Sequence, residues 1–181
     1  MKKIIFIGLV ALISFSGCSR VTYTVEPTPL KKESSKYYLK DLQLTLNHGV
    51  FRNSENNTFC EEKCLQEEFK NYIQEYLREK QIYDVGGYGL VVKMDYTRHY
   101  HLGGNSLNKP AFFYSVEVYA KDNKTLLAHY KIPNSTTKYA YLEELLVDTK
   151  VLLFQWDAED EPKDIALISE VIVREISKLG D

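Results

Sequence analysis

The sequence predicts an α+β domain with elements in the order βαβββαα: an antiparallel sheet of about four strands, with helices packed on one face. Three observations predict it. Apolar and polar residues alternate through three successive stretches between residues 88 and 132. Two turn signals separate those stretches, at about 102–110 and 122–124. Apolar residues at spacings of three and four stand both before and after this strand-rich middle.

Tyr38 to Leu46 reads as the first strand, with Leu42, Leu44 and Leu46 on one side of the pleat. After an Asn-rich polar loop, Leu65, Phe69, Tyr72, Ile73, Tyr76 and Leu77 mark an amphipathic helix over about 59–81. Gly86-Gly87 breaks the chain. Leu90, Val92, Met94 and Tyr96 then alternate against Lys93, Asp95 and Thr97. Phe112, Tyr114, Val116 and Val118 follow, and beyond Asp122-Asn123-Lys124 come Leu126, Ala128, Tyr130 and Ile132. These three runs make a meander. Leu142, Leu145, Leu146, Thr149, Leu153 and Trp156 suit a helix over about 139–155. Asp160-Glu161-Pro162 opens the last helix, whose stripe is Ile165, Ile168, Val171, Ile172, Ile176 and Leu179. Pro in the first turn loses no hydrogen bond, acidic groups favour the positive end, and Gly180 stops the helix.

Composition narrows the function classes. The chain has 181 residues, 44% hydrophobic and 27% charged, which suits one globular domain. Its 23 basic and 25 acidic residues leave no positive surplus to neutralise phosphates, so nucleic acid is not an expected partner.

The N-terminus reads as an address. Lys2 and Lys3 precede an apolar run from Ile4 to Phe15. Twelve helical residues span about 18 Å, too short for a hydrocarbon core of about 30 Å, and the pattern is that of a secretory signal. The run ends in Phe15-Ser16-Gly17-Cys18, which resembles the lipobox of bacterial lipoproteins, with Phe where that class usually has Leu. The resemblance covers residues 1–18 and assigns the body to no family. It implies cleavage before Cys18, a diacylglyceryl group on its thiol and an acyl chain on the new amine. Ser19 rather than Asp follows the Cys, which in the lipoproteins of diderm bacteria implies sorting to the outer membrane, facing the periplasm. Two or more chains anchor a protein stably where one does not. Two lysines leave with the signal, so 21 basic against 25 acidic residues give the mature chain a charge of −4.

The expected division is therefore signal 1–17, lipidated Cys and tether 18–35, and one α+β domain 36–181. Residues 19–35 admit two readings. Extended, they would reach roughly 55 Å; alternatively, the alternation Val21-Thr22-Tyr23-Thr24-Val25 makes an edge strand.

Cys60 and Cys64 would share an oxidising compartment, and residues four apart on a helix lie near enough for a disulfide. Free thiols, or a redox or metal role, are the alternatives; the spacing is CxxxC, not the CxxC of thioredoxin-like sites. Asp95, His99, His101, Glu117 and His129 fall on the polar side of the meander and form the candidate set for a divalent metal, against the ordinary reading of a solvated sheet face. The acidic group Asp157, Glu159, Asp160, Glu161 and Asp164 lacks the glycine of a calcium loop and reads as helix-start charge. Phe113 and Tyr119 lie on the polar parity of their strand, and Leu102 and Leu107 lie in a glycine-bearing loop; these four are the candidate partner-binding residues. No nucleophile elbow, zinc-protease helix or phosphate loop occurs, and no cofactor is implied. The expected function is a non-enzymatic, membrane-anchored interaction or accessory domain that meets another envelope protein. The alternative is a lipoprotein that binds a metal or small polar ligand.

Overall fold

The computed structural model describes residues 21–52 and 58–181. The signal stretch, the lipobox and Cys18 lie outside them. Eight elements follow one another: β1 (Thr22–Tyr23), β2 (Tyr37–His48), α1 (Glu62–Glu79), β3 (Tyr88–Tyr100), β4 (Leu107–Tyr119), β5 (Leu126–Thr136), α2 (Tyr141–Leu152) and α3 (Glu161–Ser177). The class is α+β, as the alternation predicts, and the strands form one sheet in the order β1-β5-β4-β3-β2.

Two features differ from the expected sheet. It has a fifth strand, because Val21–Val25 takes the edge-strand reading: Thr22 stands opposite His129 and Tyr23 opposite Ala128, antiparallel to β5. And β2 pairs with β3 in parallel, Leu42 opposite Val92 and Leu44 opposite Met94, so the sheet is mixed rather than antiparallel. The cause is the connection. A helix between neighbouring strands carries the chain back to its starting end, which antiparallel neighbours do not need. The meander itself is antiparallel throughout.

One face of the sheet is the core. Leu42 and Leu44 of β2, Leu90, Val92, Met94 and Tyr96 of β3, Tyr114 and Val116 of β4, and Ala128 and Tyr130 of β5 are buried on it. Against them lie Leu65, Phe69, Ile73 and Leu77 of α1 and Ile165, Ile168, Ile172 and Ile176 of α3. Full burial of a large apolar side chain contributes about 1.5–3 kcal/mol, so this layer dominates stability. A second, smaller cluster sits at the end of the sheet where β3 finishes and β4 starts. Tyr100, Leu107, Val147, Val151, Trp156 and Phe59 compose it.

That cluster corrects the expected stripe of α2. Of the expected stripe, Trp156 is buried, but Leu146 and Leu153 are 69% and 58% exposed, while Val147 and Val151 are buried. One turn apart, the two valines share one helix face and pack in a cluster with Tyr100 and Leu107. The helix then ends at Leu152, and Leu153 falls outside it.

The segment after β1 is strapped down. Leu30 is 1% exposed, within the main core. The Glu33 amide donates to the Ser177 carbonyl at 2.8 Å and the Gly180 amide to the Tyr23 hydroxyl at 2.8 Å. Gly180, at φ +101°, lies so close to the Leu30 carbonyl that a Cβ would collide with it. Besides stopping α3, this glycine lets the C-terminus pack on the N-terminal segment.

Candidate functional site

The helices leave the other face of the sheet uncovered, and the candidate metal residues begin there. Glu117 of β4 accepts from Lys93 Nζ at 2.9 Å through one oxygen and from the Tyr119 hydroxyl at 2.9 Å through the other. The Lys93 hydrogen bond holds the Glu117 carboxyl below its ordinary pKa, with Tyr119 adding to it. His129 stands opposite Glu117. Asp95 is opposite Phe113 and His99 opposite Asn108. His101 lies beyond the end of β3, edge-on to the Phe154 ring with centroids 4.5 Å apart. Glu117 and His129 thus face each other, while Asp95, His99 and His101 lie at other levels along β3 and beyond it. Among the described residues, the group of three His, Cys, Asp or Glu whose donor atoms lie within 4.8 Å of one another is Cys60, Cys64 and Glu68. Its two sulfurs are joined to each other.

That disulfide, Cys60–Cys64, has its Cα atoms 5.7 Å apart and staples the residues before α1 to its first turn. The Cys60 carbonyl accepts from Arg98 Nη2, which ties the staple to β3.

Arg98 opens a network that the sequence reading did not contain. It is 2% exposed and forks onto Glu161 of α3, Nε to Oε1 at 2.5 Å and Nη2 to Oε2 at 2.8 Å. Tyr96 donates its hydroxyl to the same carboxylate at 3.3 Å. Burial pushes the Glu161 carboxyl above its ordinary pKa against the pull of Arg98. One turn on, Asp164 accepts from the Tyr139 hydroxyl at 2.7 Å and from Trp156 Nε1 at 3.0 Å, and burial raises its pKa too. At Asp160, burial works the other way from its partners, and Lys163 and Lys150 together hold the carboxyl below its ordinary value. Three of the five acidic residues read as helix-start charge, Asp160, Glu161 and Asp164, are thus buried and paired. The signal was available in the strand parity. Arg98 shares the inward side with Met94 and Tyr96, and a charge placed there requires a buried partner.

The four candidate partner residues separate. Leu102 is 76% exposed at the tip of the β3–β4 loop. Leu107 is 3% exposed, inside the second cluster, and is not available to a partner: its amide bonds the Trp156 carbonyl, which turns its side chain inward. Phe113 and Tyr119 are half-buried on the uncovered face. They are six residues apart on β4, so about 20 Å separates them at ~3.3 Å per residue. Lys40 Nζ sits over the Tyr119 ring at 4.8 Å.

Leu102 instead belongs to a larger feature. Among the described residues, all but one of the aliphatic and phenylalanine side chains that are more than half exposed lie at this end of the sheet. They are Val50 and Phe51 after β2, Leu102, Leu146 and Leu152 on α2, and Leu153 and Phe154 just past it; the exception is Val85. Phe51 and Phe154 take left-handed φ values of 72° and 58°, which a bulky residue adopts at a cost. Seven large apolar side chains are thus exposed at one end of the body. Beside it, between the last residues of β5 and α3, lies a cleft of ≈ 860 Å³ whose walls include Phe112, Ile132, Thr136, Lys138, Val171 and Arg174. No described helix is long and apolar enough to cross a membrane.

No family model matches the chain, and no curated protein does. Among solved structures, it is similar to rare lipoprotein B from Shewanella oneidensis. The TM-score is 0.29 and the identity 12%, over 75% of this chain and 93% of that one.

Proposed function

We propose that this is a lipid-anchored lipoprotein of the bacterial envelope whose body works as a non-enzymatic interaction domain. Acyl chains on Cys18 hold it at the periplasmic side of the outer membrane. The observation that carries the reading is the apolar end, where Val50, Phe51, Leu102, Leu152 and Phe154 stay in water although the fold has a core to receive side chains. Exposing such residues together costs solubility, and a contact surface, membrane or protein, offsets that cost. The buried carboxyls support the same reading, because Glu161 and Asp164 are enclosed by their own partners and engaged in holding α3 to the sheet.

The test has two parts. Cys18→Ala should leave the protein unacylated and release it from membranes; a variant that stays processed and membrane-bound overturns the anchor. In intact cells, a photoreactive residue at Leu102 or Phe154, on the apolar end, or at Phe113 or Tyr119, on the uncovered face, should capture one envelope component reproducibly. Abundant, anchored protein that captures nothing there overturns the interaction role.

A further inference from the structure

The route by which the chain enters the fold says what covers the apolar end. β1 runs antiparallel to β5, with Thr22 opposite His129. Upstream of β1 the chain therefore comes from the end of the sheet where β5 finishes, and the apolar residues gather at that same end. Val21 stands about level with Tyr130, Val116 and Val92. Cys18 is three residues upstream, so its Cα lies within about 11 Å of Val21 at ~3.6 Å per residue. A body held on so short a leash sits against whatever surface holds the lipid.

We infer that the occupant of the apolar end is the phospholipid surface into which the Cys18 acyl chains insert. The inference rests on the lipoprotein reading and gives it an orientation. Tyr100 is eight residues beyond Val92, a rise of about 26 Å, and the three strand spacings from β1 to β3 span about 14 Å. With Cys18 rising anywhere up to about 11 Å of that distance, the line from the anchor to the Leu102 loop makes an angle between about 28° and about 43° with the strands. Laid on a membrane, that line tilts the sheet and brings the free upper edge of β5 toward the headgroups. Lys138, at the cleft along that edge, faces anionic phosphates there, while Leu102, Leu152 and Phe154 reach the acyl boundary. The uncovered sheet face with Phe113 stays clear of the lipid and free for a protein.

The experiment uses the full-length, acylated protein in vesicles of phosphatidylethanolamine with a minority of phosphatidylglycerol. A polarity-sensitive fluorophore is placed on Leu102→Cys, Leu152→Cys or, at the opposite end of the sheet, Lys124→Cys. All three positions are exposed, so folding is checked by circular dichroism rather than assumed. The expected result is a blue shift at Leu102→Cys and Leu152→Cys, quenched by nitroxide-bearing lipid, with no change at Lys124→Cys. Acylated, vesicle-bound protein whose three labels are equally wet overturns the orientation and leaves the anchor standing. Labels shielded from water but not quenched by lipid overturn it as well, and point to a protein or a second copy of the chain. Protein that carries no acyl chain and does not sediment with vesicles removes both readings. Leu102→Asp/Leu152→Asp should keep the anchor while returning the remaining label, on Phe154→Cys, to water.

Discussion

Replacing Arg98 with methionine tests whether the buried ion pair holds α3 to the sheet. Methionine keeps much of the side-chain volume and removes every donor. Glu161, 2% exposed, then loses both guanidinium bonds and keeps only the Tyr96 hydroxyl at 3.3 Å. An uncompensated buried carboxylate of this kind costs about 3–5 kcal/mol, and for a domain of this size each kcal/mol lowers Tm by about 2–4 °C. Arg98→Met should therefore lower Tm by roughly 6–20 °C and move the urea midpoint at unchanged slope. Arg98→Met/Glu161→Leu should recover most of the loss, since removing both charges removes the desolvation penalty. The pH dependence has a definite sign. The pKa of Glu161 is already raised by burial, so its neutral form favours the folded state. That contribution is complete below the unfolded pKa and is lost as pH rises through the folded one. Without Arg98 the folded pKa climbs further, so the variant's deficit should shrink on acidification. A single variant within about 1 kcal/mol of wild type, or a double variant no better than the single, would refute the reasoning: the pair would then be solvated.

Other expectations follow from particular contacts. Leu107→Ala should cost about 2–5 kcal/mol in urea unfolding because it opens the second cluster, whereas Leu102→Ala should stay within about 0.5 kcal/mol. Equal costs would mean that the loop is packed differently. Reducing Cys60–Cys64 should lower stability by about 2 kcal/mol, the chain-entropy value for so short a loop; thiol tagging under non-reducing conditions should find both sulfurs blocked. Asp122 accepts the Thr125 and Lys124 amides, which hold its carboxyl down to about 2. Its contribution is present above the ordinary pKa of 3.8 and lost as pH falls through the folded value. Asp122→Ala should therefore narrow the gap in urea midpoint between about pH 5 and about pH 2, and an unchanged gap would remove the turn from the account.

The parts of this fold legible in the sequence are those where one residue's environment repeats. Leu90, Val92, Met94 and Tyr96 share a face because a pleat alternates, and Ile165, Ile168, Ile172 and Ile176 share one because a helix turns every 3.6 residues. Where partners are distant in sequence, periodicity is silent. Arg98 and Glu161 are sixty-three residues apart, and only the inward parity of Arg98 hinted that a partner existed. The stripe of α2 misled for a related reason. Leucines outnumber valines there, and hydrophobicity ranks them alike, but the cluster around Tyr100 takes Val147 and Val151 and leaves Leu146 and Leu152 in water. The parallel β2–β3 pair was implied by the intervening helix all along, since topology follows from the connection more than from either strand.

The N-terminal segment changes the functional geometry most. An extended run over residues 19–35 would let a lipid-anchored body sweep roughly 55 Å from its membrane and meet partners deep in the periplasm. The chain instead pairs at Thr22, buries Leu30 and bonds to the last turn of α3 through Glu33. Three residues then separate Cys18 from the folded body. With the acyl chains proposed on Cys18, any protein that the body meets would have to come to the membrane surface and approach the face that the anchor leaves open. Weakening the strap is therefore a functional perturbation. Leu30→Asp, which puts a charge into the core at that point, should loosen the segment from Val21 onward and lengthen the reach. In spin-labelled, vesicle-bound protein, the distance from the membrane to a label at Lys124→Cys should then broaden and lengthen. An unchanged distance distribution would mean that β1 pairing alone sets the reach.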